Sequence, residues 1–470
     1  MYTQQFFIEG LACASYLVGC EVRGVAAIVD PDLDVEKYLE AAGSQGMKIT
    51  HIIETHLHAD HVSGNTTLAA RTGADIYIHE ASAAEYTHNP LRDQEVIELG
   101  TVRIRVLHTP GHTPESVTLL LADTRRTAEP WLALTGDTLF VGDIGRPDLV
   151  GAEAGRGLAE DMYDSLFNRI LPLDDSLMIY PGHGAGSLCG KFIRAMRSTS
   201  LGFERKYNPA LAPRERTDFI DFAVSDLPEQ PGSHKRIKAL NRAGPQALGE
   251  VHDRPLTLQQ ALPSIQQGAV ILDTREKEVY AKAHLPGSIH LEATPQLSNQ
   301  IGFVVPTDAS ILLVLTQPSQ YREVFYNLLR VGYDGVIGYL AESLETWTEM
   351  GLPTASGAVQ DIEPKELNEL MQMTHTAGSL FILDVREPWE FRRGHIPEAV
   401  LIPLGELSSH LGELDPEQPT AVICARGNRS QPAAAFLEQK GFRKVYNVLG
   451  GTNAWKKQGL ELKLDSENKL

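Results

Sequence analysis

Between Thr55 and His61 the chain reads Thr-His-Leu-His-Ala-Asp-His, three imidazoles and a carboxylate within seven residues. Such groups are ligands for divalent metals. His112, Asp137 and His183 each stand just past a strand-like apolar run, at 102–106, 131–134 and 177–180, and loops at strand ends can converge on one ion. Any one of these histidines alone would read as a cap or a core side chain, but seven candidates in this order favour metal binding. Ligand number then decides the chemistry. If His56, His58, Asp60, His61, His112, Asp137 and His183 all bind, two Zn²⁺ share a hydroxide that hydrolyses an ester or thioester. If only His56, His112 and Asp137 bind, they form a two-histidine, one-carboxylate face suited to Fe(II). His58, Asp60, His61 and His183 then orient the ligands or contact substrate.

A second constellation is Cys424-Ala-Arg-Gly-Asn-Arg-Ser430, between a strand-like run at 421–423 and a helical stretch at 433–439. A thiol there meets a helix N-terminus, whose backbone N–H groups stabilise a thiolate or a bound anion. Ala425, Arg426, Gly427, Asn428 and Arg429 form the substrate cradle, with Gly427 giving a tight turn and the two arginines closing on a dianion. Arg146 is a further candidate for holding an anion, with an ion pair to Asp143 or Asp148 as its alternative. Cys189 follows His183 by six residues in a glycine-rich stretch, and reads either as a relay thiol near the metal or as a small packed residue. Cys13 and Cys20 lie in an apolar N-terminal segment and are expected to be buried.

Elements of two kinds must carry these residues. Strand-like runs at 26–29, 49–53, 76–78, 102–106 and 132–134 predict one mixed α/β domain over residues 1–250. The stretch 208–255 closes it, with helices expected near 218–223 and 237–241. The second half repeats itself: Asp273-Thr-Arg-Glu and Asp384-Val-Arg-Glu are offset by 111 residues, as are His284 and His395, while Trp347 and Trp455 are offset by 108. Two units follow, at 256–353 and 362–462, each alternating strands with helices as a parallel sheet requires, and 353–361 reads as their linker. Thr316 stands where the second unit has Cys424, and Pro318 removes a backbone donor. The middle unit is therefore expected to lack the thiol chemistry of the second and to serve as a spacer or a docking surface.

Composition narrows the partners. Across 470 residues, 42 Lys+Arg against 61 Asp+Glu leave a net charge of −19, a field that repels phosphate backbones and argues against nucleic acid. Four cysteines without close pairing fit a reducing cytoplasm. Leu17-Val18-Gly19-Cys20 has the form of a lipoprotein cleavage box, but no Lys or Arg precedes it and Glu9-Gly10 interrupts the apolar run, so it is expected to be folded. The longest apolar runs, such as 311–315, are strand-sized, and no membrane span is expected.

The order HxHxDH, His, Asp, His resembles the metallo-β-lactamase superfamily over about residues 1–250, which implies an αββα sandwich. Gly136-Asp-Thr-Leu-Phe-Val-Gly-Asp-Ile-Gly-Arg-Pro-Asp-Leu149 is similar to the signature stretch of the persulfide dioxygenases within it. That resemblance implies one Fe(II) per chain on His56, His112 and Asp137. The Cys424 loop, with Asp384–Glu387 and Gly394-His-Ile-Pro397 upstream, resembles the rhodanese family over residues 362–462. Its six-residue length is that of the sulfurtransferases and implies a Cys424 persulfide. The whole chain is similar to fusions of persulfide dioxygenase with rhodanese found in bacterial sulfide detoxification: an α/β protein, the sandwich followed by two rhodanese-like parallel α/β domains. This implies oxidation of a thiol persulfide, of glutathione or coenzyme A type, by O₂ to sulfite. A rhodanese step then forms or uses thiosulfate, in a cytoplasmic homo-oligomer. Two rivals stay open: a dinuclear zinc thioesterase of glyoxalase II type fused to a sulfurtransferase, and a non-oxidising sulfur carrier or sensor whose metal is structural.

Overall fold

The computed structural model describes all residues except 150, 213–214, 228–229, 350–352, 358, 375–379 and 465–470. It divides into two compact units. The first comprises Met1–Gln230, His234–Glu250 and Arg330–Gly332. Two six-stranded sheets build it. One runs in chain order through Tyr2–Ile8, Cys13–Cys20, Val25–Val29, Lys48–Ile53, Asp75–His79 and Asn89–Leu91. Its first two pairings are antiparallel and the rest parallel, with helices Glu36–Ser44 and Asn65–Thr72 as crossovers. The other is ordered Thr199–Ser200, Met178–Pro181, Leu132–Gly136, Val117–Asp123, Val102–His108, Val96–Leu99.

Strand residues bury alternately on two faces, and each face has its own cluster. Val18, Val29 and Ile53 of the first sheet meet Ile104, Leu119 and Leu134 of the second. Leu17, Ile28 and Ile52, on the opposite face of the first sheet, pack under Tyr38 and Leu68 of its helices. Leu120, Ala133 and Ile179 of the second sheet are covered by Met162, Leu166 and Phe219. The layers are thus helix, sheet, sheet, helix, the αββα sandwich expected. The strand Cys13–Cys20 is buried along its whole length, so the segment with the lipoprotein-like box is the second strand of this sheet. The helices expected near 218–223 and 237–241 are Arg216–Val224 and Ser233–Ala243.

The second unit, Pro231–Ser233, Val251–Leu329 and Tyr333–Leu470, contains two five-stranded parallel sheets with the same topology. One is ordered Pro255–Leu256, Val336–Leu340, Ile311–Val314, Val270–Asp273, Ile289–His290. The other is ordered Gln360–Ile362, Val445–Val448, Thr420–Ile423, Phe381–Asp384, Val400–Leu401. The repeated Asp-x-Arg is a buried ion pair in both: Arg275 on Asp273 and Arg386 on Asp384, each at 2.6 Å. The repeated histidines are structural as well. His284 stacks on Tyr280 at 3.9 Å and His395 on Phe391 at 3.7 Å. The linker reading of 353–361 needs correction at both ends. Ala355 bridges to His284 and Gln360–Ile362 is an edge strand, because the unpaired flank of Val445–Val448 offers it a ladder; residue 358 lies outside the described residues.

Candidate active site

Four loops at strand ends in the first unit carry the metal candidates. His56 follows Lys48–Ile53, His112 follows Val102–His108, Asp137 directly follows Leu132–Gly136, and His183 comes two residues after Met178–Pro181. His56, His112 and Asp137 offer ligand atoms within 4.8 Å of one another, and all three are buried. His112 Nε2 lies 3.3 Å and His56 Nε2 3.9 Å from Asp137 Oδ2. Each of those three atoms is buried without a hydrogen-bond partner. Unsatisfied buried donors and acceptors are costly and rare, and three that converge fit one metal ion.

The rest of each ligand is already fixed by neighbours. His112 Nδ1 pairs with the Arg146 carbonyl oxygen at 2.8 Å, which places the proton on Nδ1 and leaves the Nε2 lone pair facing the centre. His56 Nδ1 lies 3.0 Å from Thr55 Oγ1, and Thr55 Oγ1 donates to Asp30. Asp137 Oδ1 accepts from His183 Nδ1 at 2.8 Å. Burial, with His58 and His112 beside it, holds His56 well below the usual histidine range, and burial also lowers His112. Both are neutral imidazoles, the form that binds metal. Burial works against the Asp137 carboxylate, but His183 and His112 outweigh it and keep the carboxyl ionised.

Of the other four candidates, His183, Asp60 and His61 face one another, while His58 has both ring nitrogens buried without a hydrogen-bond partner. His183 Nε2 donates to Asp60 Oδ2 at 2.8 Å, and Asp60 Oδ1 lies 3.2 Å from His61 Nδ1. Burial disfavours the His183 charge, yet Asp137 and Asp60 on its two sides raise its pKa well above the ordinary value. His58 Nε2 is 3.2 Å from Asp30 and 3.4 Å from Glu54. His58, Asp60 and His61 also bring ligand atoms within 4.8 Å of one another.

The thiol loop lies in the second unit. Cys424 directly follows the strand Thr420–Ile423, the helix Ser430–Gln439 comes next, and Gly427 has φ +102°, a conformation that favours glycine. The Gly427 N–H donates to Cys424 Sγ at 3.0 Å. Gly451 must also lack a side chain, since a Cβ there would sit 2.1 Å from the Cys424 carbonyl oxygen. At the matching place in the middle sheet, Ile311–Val314 leads to Pro318–Gln320 with no thiol.

Comparison with known proteins bears on both halves of the chain. The metallo-beta-lactamase superfamily pattern matches residues 8–183, and the rhodanese-like domain pattern matches residues 257–350 and 363–458. The chain belongs to the metallo-beta-lactamase superfamily and carries two rhodanese-like domains after that domain. It is similar to a solved metallo-beta-lactamase from Staphylococcus aureus, at 33% identity and a TM-score of 0.65, over 72% of this chain and 98% of that one. It is 33% identical to a hydroxyacylglutathione hydrolase of Polaromonas over 36% of this chain and 61% of the relative. It is 29% identical to the mitochondrial persulfide dioxygenase ETHE1 of Bos taurus over 44% of this chain and 75% of the relative.

Within the metallo-beta-lactamase domain, Arg146 takes the ion-pair alternative. It is 3% exposed, with Nε and Nη2 on Asp148 at 2.7 and 2.8 Å and Nη1 on the Leu188 carbonyl oxygen. Each guanidinium nitrogen thus has one partner, which favours the ion-pair alternative over the anion-binding one. Within the 136–149 stretch the backbone packs closely: a Cβ at Gly145 would lie 1.9 Å from the Asp137 carbonyl oxygen. Cys189 is buried 2% exposed and within ligand reach of Asp137 and His183, and burial pushes its thiol well above the usual range. Cys13 offers its thiol within 4.8 Å of ligand atoms of Asp60 and His183. In the second rhodanese-like domain Arg429 is bidentate on Glu390 at 2.7 and 2.8 Å. Arg426 and Asn428 are exposed at the loop rim.

Sequence reasoning missed Asn241 and Glu115. Asn241 Nδ2 donates to the carbonyl oxygens of His58 and His61, and its Oδ1 accepts from Ser63 N. Glu115 accepts from Leu57 N at 2.9 Å. Both clamp the HxHxDH loop from distant parts of the chain, and neither belongs to a motif.

Proposed function

We propose that this chain is an iron-dependent persulfide dioxygenase that oxidises a low-molecular-weight thiol persulfide to sulfite, coupled to rhodanese transfer through Cys424. The supporting observation is that His56 Nε2, His112 Nε2 and Asp137 Oδ2 are the unpartnered atoms of a two-histidine, one-carboxylate face, while Asp60, His61 and His183 are engaged with one another. One Fe(II) on that face would supply redox chemistry and open coordination positions. Asp137 and His112 are held by His183 and by the Arg146 carbonyl, which orients both ligands toward the face. The balanced reaction is RSSH + O₂ + H₂O giving RSH, SO₃²⁻ and two protons, four electrons passing from the outer sulfur to O₂.

In the second step a second thiol persulfide passes its outer sulfur to the Cys424 thiol and leaves as RSH, and the outer sulfur of the resulting Cys424 persulfide is attacked by sulfite. The S–S bond to Cys424 breaks, thiosulfate leaves, and Cys424 regains its thiol. The Gly427 N–H on Sγ stabilises the charge that returns to sulfur, and Arg426 at the rim is the cation left to meet the dianion. Four free cysteines and the absence, among described residues, of a helix fit to cross a membrane agree with a cytoplasmic setting. The second reading, a dinuclear zinc thioesterase, draws on the identity to hydroxyacylglutathione hydrolase and on the His58–Asp60–His61 cluster. A Cys424→Ser variant tests the division of labour: it keeps O₂ consumption with persulfide and loses thiosulfate exchange. Loss of both in a folded, iron-loaded variant overturns it.

A further inference from the structure

The middle rhodanese-like domain has no thiol, yet one of its side chains forms an ion pair at the end of a hydrogen-bonded chain that begins at Cys424. Cys424 Sγ lies 3.5 Å from Ser430 Oγ, Ser430 Oγ donates to Asn447 Oδ1 at 2.7 Å, and Asn447 Nδ2 donates to Asp361 Oδ1 at 2.8 Å. Asp361 Oδ2 is paired at 2.6 Å with Nζ of Lys277. All five residues lie in the second compact unit. Lys277 opens the helix Lys277–Lys282 of the middle domain. The 111-residue repeat offset sets it opposite Pro388, so the cation is peculiar to the domain that lost the chemistry.

The donor and acceptor roles along this chain follow in one direction. A carboxylate only accepts, so Asp361 requires the amide nitrogen of Asn447 to face it, and the amide oxygen must then face Ser430. Gln431 Oε1, 3.2 Å from the same nitrogen, agrees with that orientation. Ser430 has one hydroxyl hydrogen and three places to send it: Asn447 Oδ1, the Gly427 carbonyl oxygen at 3.3 Å, and Cys424 Sγ. With the amide oxygen presented, the hydrogen goes to Asn447 and the hydroxyl lone pair faces the sulfur.

We propose that Lys277 is a positioning residue for the rhodanese reaction: through Asp361 and Asn447 it sets the direction of the Ser430 hydroxyl and thereby the hydrogen bonding of Cys424. This gives the middle domain a role in transfer, and it rests on the reading of Cys424 as the sulfur carrier. Without Lys277 the Asp361 carboxylate is free to leave Asn447, the amide can turn over, and Ser430 can donate to sulfur. Glu438, on the helix Ser430–Gln439, also faces Lys277 and is the other carboxylate that variants must leave in place.

The test is a double-mutant cycle on the full-length protein, following alkylation of Cys424 by iodoacetamide across pH 5 to 9 with peptide mass readout. Lys277→Met changes the alkylation rate by about fivefold and displaces its pH profile, while Lys277→Arg restores both. In a Ser430→Ala background Lys277→Met has no further effect, because the group it directs is gone. The same change in both backgrounds, or none in either, overturns the proposal even if the protein is folded. Thiosulfate exchange retained by Cys424→Ser would instead overturn the carrier reading, and alkylation does not depend on that activity.

Discussion

His183 separates the one-metal from the two-metal account, and its replacement can be worked through in detail. In the structure it bridges two carboxylates, Asp137 Oδ1 and Asp60 Oδ2, both at 2.8 Å. Only Asp137 belongs to the converging face. His183 therefore acts on the metal from one bond away, by orienting a ligand, and removal of such a partner costs about 10- to 100-fold in metal affinity, or about 1.4–2.7 kcal/mol. Glutamine can still donate to one carboxylate and leucine to neither. His183→Gln is expected near the tenfold end and His183→Leu near the hundredfold end. The assay is anaerobic competition for Fe(II) or Co(II) against a chelator of known affinity, with metal per chain measured alongside. The account predicts one metal per chain in the parent and in both variants, at decreasing affinity. A parent with two metals, falling to one in either variant, would mean that His183 is itself a ligand.

Three further outcomes follow. Asp148→Ala leaves Arg146, 3% exposed, as an unpaired buried charge. It should destabilise the first unit by about 3 kcal/mol in urea denaturation, and a loss below about 1 kcal/mol would show that the pair is dispensable. Burial pushes the Glu438 carboxyl up to about 7 from 4.5, against the facing Lys277 and Tyr280. The folded state thus holds this proton more tightly than the unfolded chain, so its contribution to stability falls as pH rises from about 4.5 to 7. Glu438→Gln should flatten that part of the stability profile, and an unchanged slope would refute the assignment. Asn241→Leu removes three bonds to the HxHxDH loop and is expected to lower metal affinity without changing metal number; unchanged affinity in the chelator assay would refute the clamp.

The residues legible in the sequence were those whose meaning is local. The HxHxDH spacing, the apolar runs that end at His112, Asp137 and His183, and the 111-residue repeat are all read within short windows, and strand ends carry them where expected. The choice among partners was not local. Arg146 and Arg429 looked like free cations because nothing in their flanks says that Asp148 and Glu390 close on them bidentately. Asn241 reaches His58 and His61 across about 180 residues, and Cys13 bridges to His183 across the first sheet and the second. Asp361 sat in a stretch rich in small residues that reads as a linker, because three residues of edge strand carry too little periodicity to be seen.

The central claim is oxidation at a single iron. The most direct measurement is O₂ uptake by anaerobically prepared, Fe(II)-loaded protein on adding glutathione persulfide or coenzyme A persulfide, with S-lactoylglutathione hydrolysis run in parallel. The account predicts one O₂ consumed per persulfide where sulfite is the product and one per two persulfides where thiosulfate is, with no thioester cleavage. Absence of uptake, with thioester cleavage by a form holding two zinc ions, would contradict it.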